Sequence, residues 1–122
     1  ITIVSDCGYT FSNRVDIRAA AGYRPKLSLI TVFPASGSCS VASDARDITL
    51  QQNFDASAIT FFAYTPCTLR FANQVNITGQ LVAGRLIATG RTTINTVDLS
   101  LTGEKPGPIG GFQQRMLWIR EI

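Results

Sequence analysis

The stretch CTLRFANQVNITGQLVAGRLIATG, residues 67–90, decides how this chain folds. Its later part breaks into runs of three to five residues punctuated by Gly79, Gly84 and Gly90. Runs that short cannot form a self-standing hairpin, and a glycine at each break marks a chain turning through tight bends. The first part echoes an earlier segment. CTLRFANQVNI (67–77) matches CGYTFSNRVDI (7–17) at Cys67/Cys7, Phe71/Phe11, Asn73/Asn13, Val75/Val15 and Ile77/Ile17, at a constant offset of sixty residues. Gln74/Arg14 and Asn76/Asp16 are near matches. Apolar, Asn and Cys positions that agree without a gap predict the same local structure built twice.

Outward from this stretch, ITIV (1–4), LSLITVF (27–33), ITFFAY (59–64) and VDLSL (97–101) are rich in β-branched and aromatic residues and bounded by Gly, Pro, Asn, Asp or Ser, the marks of strands. The nearest approach to a helix, Val15–Gly22, is too short and ends abruptly at Gly22 and Pro25. Two architectures use short strands with many turns. In a parallel β-helix each coil stacks on its neighbours, so inward Val, Ile and Leu form apolar ladders and Asn forms polar ones at the bends. A β-sandwich needs longer strands and tight hairpins, yet neither Asn-Gly nor Asp-Gly occurs. The expected fold is therefore all-β, a short-stranded parallel β-helix or solenoid, with a β-sandwich as the alternative. The segment TGEKPGPIGG (102–111) reads as a Gly/Pro loop, and FQQRMLWIREI (112–122) as a C-terminal strand that closes the stack.

With 122 residues, 45% of them hydrophobic and 16% charged, the chain has the size and composition of one folded domain, residues 1–122. It begins at Ile1, and its single methionine is Met116, so it reads as a piece of a longer precursor. No run of about 18 apolar residues is present to cross a membrane as a helix, and no membrane contact is expected of this piece.

The side-chain inventory argues against catalysis. Histidine is absent, which removes the usual general base and the activating partner of a serine or cysteine nucleophile. Among the acids only Asp44 and Asp47, in SDARDI (43–48), lie close together. They suit a Ca²⁺ ion or the capping of local backbone donors, and the lack of EF-hand spacing favours capping. Cys7, Cys39 and Cys67 are too widely spaced for a structural zinc site. One disulfide with one thiol left over is the simplest arithmetic, and three buried thiols in a reducing compartment is the other reading. No catalytic residue, cofactor or metal is expected. The net charge of +3 is carried by dispersed arginines rather than a basic run. If the fold repeats, Arg14, Arg70, Arg85 and Arg91 are the ones most apt to align on one face and meet DNA.

The segments ITFFAYTPC (59–67), FANQVNITGQLVAG (71–84) and GFQQRMLWIREI (111–122) resemble the secreted part of pilin-like proteins of bacterial type IV pilus and competence systems, the PilX-like, β-solenoid minor-pilin group. The likeness covers the second half of the chain and carries no catalytic motif. It implies an extracellular, non-catalytic, structural or adhesive module of a pilus-like bacterial surface assembly. The partners it implies are other pilin-like or surface proteins, with DNA or surface glycans as further ligands. A DNA-binding tip used in uptake is the alternative function, and a polysaccharide-active β-helix enzyme a third. An exported location permits a disulfide. Cys39 with Cys67 is the expected pair, and Cys7 with Cys67 the alternative, because the repeat makes those two positions equivalent.

Overall fold

The computed structural model describes residues 1–97. The expected Gly/Pro loop, the closing strand and all of VDLSL after Val97 lie outside the described residues. The described chain is all-β. Its strands are β1 (Thr2–Ser5), β2 (Tyr9–Phe11), β3 (Val15–Asp16), β4 (Lys26–Thr31), β5 (Ile48–Leu50), β6 (Phe54–Phe71), β7 (Val75–Ala88) and β8 (Thr92–Thr96). They form one eight-stranded sheet in which every pairing is parallel. Parallel neighbours need a long connection, commonly a helix. Here the connection from one strand to its neighbour is itself made of strands that pair elsewhere in the sheet, and the sheet curls.

The registers resolve into three ladders. The first runs β1, β4, residues 60–64 of β6 and 79–83 of β7. The second runs β2, β5, residues 69–71 of β6 and 85–88 of β7. The third runs β3, residues 54–56 of β6, 75–77 of β7, and β8. The sixty-residue echo follows from these registers. Tyr9 pairs with Ile48, 39 residues on, and Ile48 with Leu69, a further 21. Val15 pairs with Phe54 and Phe54 with Val75 by the same two steps. Residues sixty apart therefore occupy one column, two rungs apart.

Strand periodicity puts alternate side chains inside. Along β6, Phe61, Ala63, Thr65, Cys67, Leu69 and Phe71 are buried, while Phe62, Tyr64, Pro66 and Arg70 are half-buried. The inward columns are Tyr9–Ile48–Leu69–Leu86, Phe11–Leu50–Phe71–Ala88 and Val15–Phe54–Val75–Thr92. Their middle members, Ile48, Leu50, Phe54, Leu69, Phe71 and Val75, are 1% exposed or less. Burying such side chains is the chief stabilising term, about 1.5–3 kcal/mol for each large one. At the first rung cover is on one side only: Ile3, in the column of buried Leu29 and Ala63, stays 45% exposed.

The strands are longer than the sequence spacing predicts. β6 has 18 residues and β7 has 14, because pairing continues around the corners through register shifts between Ala56 and Phe61 and between Thr65 and Thr68. Gly79 and Gly84, read from sequence as breaks, lie inside β7 at those shifts. Gly79 has φ +150°, and a Cβ there would stand 1.8 Å from the Phe61 carbonyl oxygen. Gly79→Ala is therefore expected to lower stability by about 1–3 kcal/mol, read as a lower urea midpoint. An unchanged midpoint would show that the corner relaxes around the new methyl.

Candidate functional site

The step from the first ladder to the second is a corner that the chain turns four times. From β1 to β2 it takes Asp6–Gly8, and β6 and β7 turn it without leaving the sheet. From β4 to β5 it takes the 16 residues Val32–Asp47. This insertion, VFPASGSCSVASDARD, is the candidate functional site. Loops held by a rigid scaffold are where binding residues concentrate.

The insertion is fixed at several points. Cys39 is joined by a disulfide to Cys67 of β6, across 28 residues with Cα atoms 5.4 Å apart. The Asp44 carboxylate accepts the backbone N–H of Ser40 at 2.9 Å and of Arg46 at 3.0 Å. Asp47, almost fully buried, accepts the Asp44 N–H at 3.1 Å, the Thr68 N–H of β6 at 2.9 Å and Arg70 Nε at 3.4 Å. Arg70 Nη2 donates to the Ala42 carbonyl at 2.7 Å, and the buried Thr65 hydroxyl to the Arg46 carbonyl at 2.7 Å. Arg46 Nε is buried with no partner among the described residues. The loop nonetheless presents apolar groups to solvent, with Phe33 60% and Val41 76% exposed.

Asp44 and Asp47 thus spend their carboxylates on backbone donors and on the guanidinium groups of Arg46 and Arg70. Cys39, Cys67 and Asp44 bring their ligand atoms within 4.8 Å of one another, but the two sulfurs are bonded together and offer no thiolate to a metal. The Ser40 and Arg46 amides hold the Asp44 carboxyl below its ordinary range, and the Ser57 hydroxyl and amide do the same for Asp55. A carboxyl lowered by folding adds stability above the unfolded value of about 3.9, and that stability is lost as pH falls through the folded value. Acidification from about pH 5 to pH 2 is accordingly expected to destabilise the domain, and less so in Asp44→Asn. Urea midpoints across that range check it, and parallel curves for the two proteins would contradict it. Asp47→Ala leaves the buried Thr68 N–H without its acceptor and is expected to cost about 1–3 kcal/mol. A urea midpoint matching wild type would contradict that role.

Cys7 is free and exposed. It stands at the same corner as Cys67: the Cys7 amide donates to Ser5 Oγ and the Cys67 amide to Thr65 Oγ1, each at 3.1 Å. The alternative pairing of Cys7 with Cys67 fails on distance. Two rungs separate them, roughly 10 Å at the spacing of parallel strands, which is beyond the reach of a disulfide.

The four arginines fall into two groups. Arg70 and Arg85 lie on the second ladder, where Arg70 pairs with Ile87 and Arg85 with Thr68, and the Arg70 guanidinium is taken by Asp47 and Ala42. Arg14 and Arg91 each precede a rung of the third ladder and are exposed. Sequence reasoning missed the insertion as a site, although the shift to Ser, Ala and Gly over residues 35–43 was a visible signal. No helix among the described residues is long and apolar enough to cross a membrane. No protein-family model, curated protein or solved structure matches the chain.

Proposed function

We propose that this chain is a non-catalytic module displayed on the outside of a bacterial cell. In this reading its curled parallel sheet is a β-helix solenoid built into a pilus-like assembly, and the stapled loop 32–47 is its contact with a partner protein. The observation that carries the proposal is the loop itself, which exposes Phe33 and Val41 while a disulfide and buried Asp47 hold its base. An apolar contact held rigid before binding loses little conformational entropy on association. Disulfides persist in oxidising compartments, which supports display outside the cytosol. The pilin-like resemblance of residues 59–67, 71–84 and 111–122 supplies the kind of assembly. DNA uptake has weaker support, because Arg70 is already engaged by Asp47 and the arginines divide between two ladders.

The test uses the full-length protein in its own cells, with an antibody against residues 32–47. Immunogold label on surface filaments, together with co-purification of filament subunits that drops about tenfold in the Phe33→Ser, Val41→Ser double variant, is the expected result. Label confined to the cell interior would overturn the surface reading. Co-purification indifferent to the double variant would overturn the role of the loop.

A further inference from the structure

The corner between the second and third ladders has a different chemistry from the loop. Its four turns are Ser12-Asn13-Arg14, Gln51-Gln52-Asn53, Ala72-Asn73-Gln74 and Thr89-Gly90-Arg91. The amides that follow lock them in register: Val15 N donates to the Asn53 carbonyl at 2.9 Å, Phe54 N to Gln74 at 3.0 Å and Val75 N to Arg91 at 2.9 Å. Arg14, Asn53, Gln74 and Arg91 therefore form one column, and all four are exposed. Beside it runs a second polar column, Asp16–Asp55–Asn76–Thr93.

Planar hydrogen-bonding groups are thus repeated along the stack at roughly 4.8 Å per rung. The second column is engaged internally: Arg18 donates to Asp16, the Ser57 amide and hydroxyl donate to Asp55, and Asn76 reaches Asp55. In the turns, Asn73 Nδ2 donates to the Gln51 carbonyl. The side chains of Asn13, Arg14, Gln52, Asn53, Gln74 and Arg91 make no hydrogen bond among the described residues. Their backbones are held by buried Phe54, Val75 and Phe71, so the array is rigid where it is anchored.

We propose that this corner is a binding edge for a linear polysaccharide that bears carboxylates. Amide side chains can donate and accept at once, which suits neighbouring sugar hydroxyls, and successive rungs repeat the same offer along an extended chain. Arg14 and Arg91, at the two ends of the column, supply planar donor forks for carboxylates. A protein partner fits less well, because the described residues give the corner no large apolar or aromatic anchor. Single-stranded nucleic acid fits less well too, because no aromatic among the described residues of the corner is exposed to stack on a base. This edge does not depend on the stapled loop.

The experiment is affinity electrophoresis of the disulfide-intact chain through gels containing alginate, dextran or duplex DNA at about 0.15 M salt. The expected result is retardation by alginate above that by dextran or DNA. It should weaken about tenfold in the Gln52→Ala, Asn53→Ala, Gln74→Ala triple variant and in the Arg14→Ala, Arg91→Ala double variant. Both variants should keep the wild-type urea midpoint, and Phe33→Ser, Val41→Ser should bind alginate as wild type does. No retardation by alginate, equal retardation by dextran, stronger retardation by DNA, or retardation untouched by either corner variant would each overturn the proposal, whatever the outcome for the loop.

Discussion

Phe54→Ala is expected to cost roughly 3–5 kcal/mol, enough to leave much of the domain unfolded at physiological temperature. Phe54 lies inside the third ladder, with a paired strand on each side. Its ring is 5.4 Å from that of Phe11 on one side and 5.4 Å from that of Phe61 on the other. In its column it stands between Val15 and Val75, and it is 1% exposed. Truncation therefore removes buried area and the centre of an aromatic cluster at once, and the β-sheet backbone around it is paired on both sides and cannot easily collapse into the space. Thermal melting by circular dichroism checks it. A melting temperature more than about 10 °C below wild type is expected. A loss of only one or two degrees would mean that the column does not carry the core.

Removing the staple is the second large effect. A cross-link over a separation of 28 residues restricts the unfolded chain by roughly 3–4 kcal/mol on the loop-closure account. Cys39→Ser also leaves the Cys67 thiol in a site 2% exposed. In a Cys7→Ser background, reduction by a dithiol should lower the melting temperature by about 10 °C or more, and equal melting with and without reductant would contradict it. Intact mass after alkylation gives the companion result for the wild-type chain. One thiol should be labelled without reduction, at Cys7, and three after it.

How much of this was legible in the sequence depended on whether the deciding contacts were local. The echo of residues 7–17 in 67–77 was readable because equivalent turns need equivalent residues, and the registers place Phe11 and Phe71 in one column. That ITFFAY is a strand was readable too, because β-branched and aromatic residues favour that conformation locally. Strand length was not, because whether Gly79 ends a strand or sits within one depends on the register shift opposite Phe61. The alignment of the arginines was not legible either. Successive strands of the second ladder step by 39, 21 and 17 residues, so positions in sequence do not by themselves reveal which residues share a face in space. The role of Asp47 was hidden most deeply, because its partner Thr68 lies 21 residues away on another strand.

The stacking of the third ladder is the point on which everything else rests, and nuclear Overhauser contacts at Val15, Phe54 and Val75 test it most directly. Parallel stacking predicts amide-to-α contacts that link the strand of Val15 to that of Phe54, and Phe54's strand to that of Val75, with no α-to-α contact in either pair. Short α-to-α contacts between these strands, or direct contact between Val15 and Val75 without Phe54 between them, would contradict it.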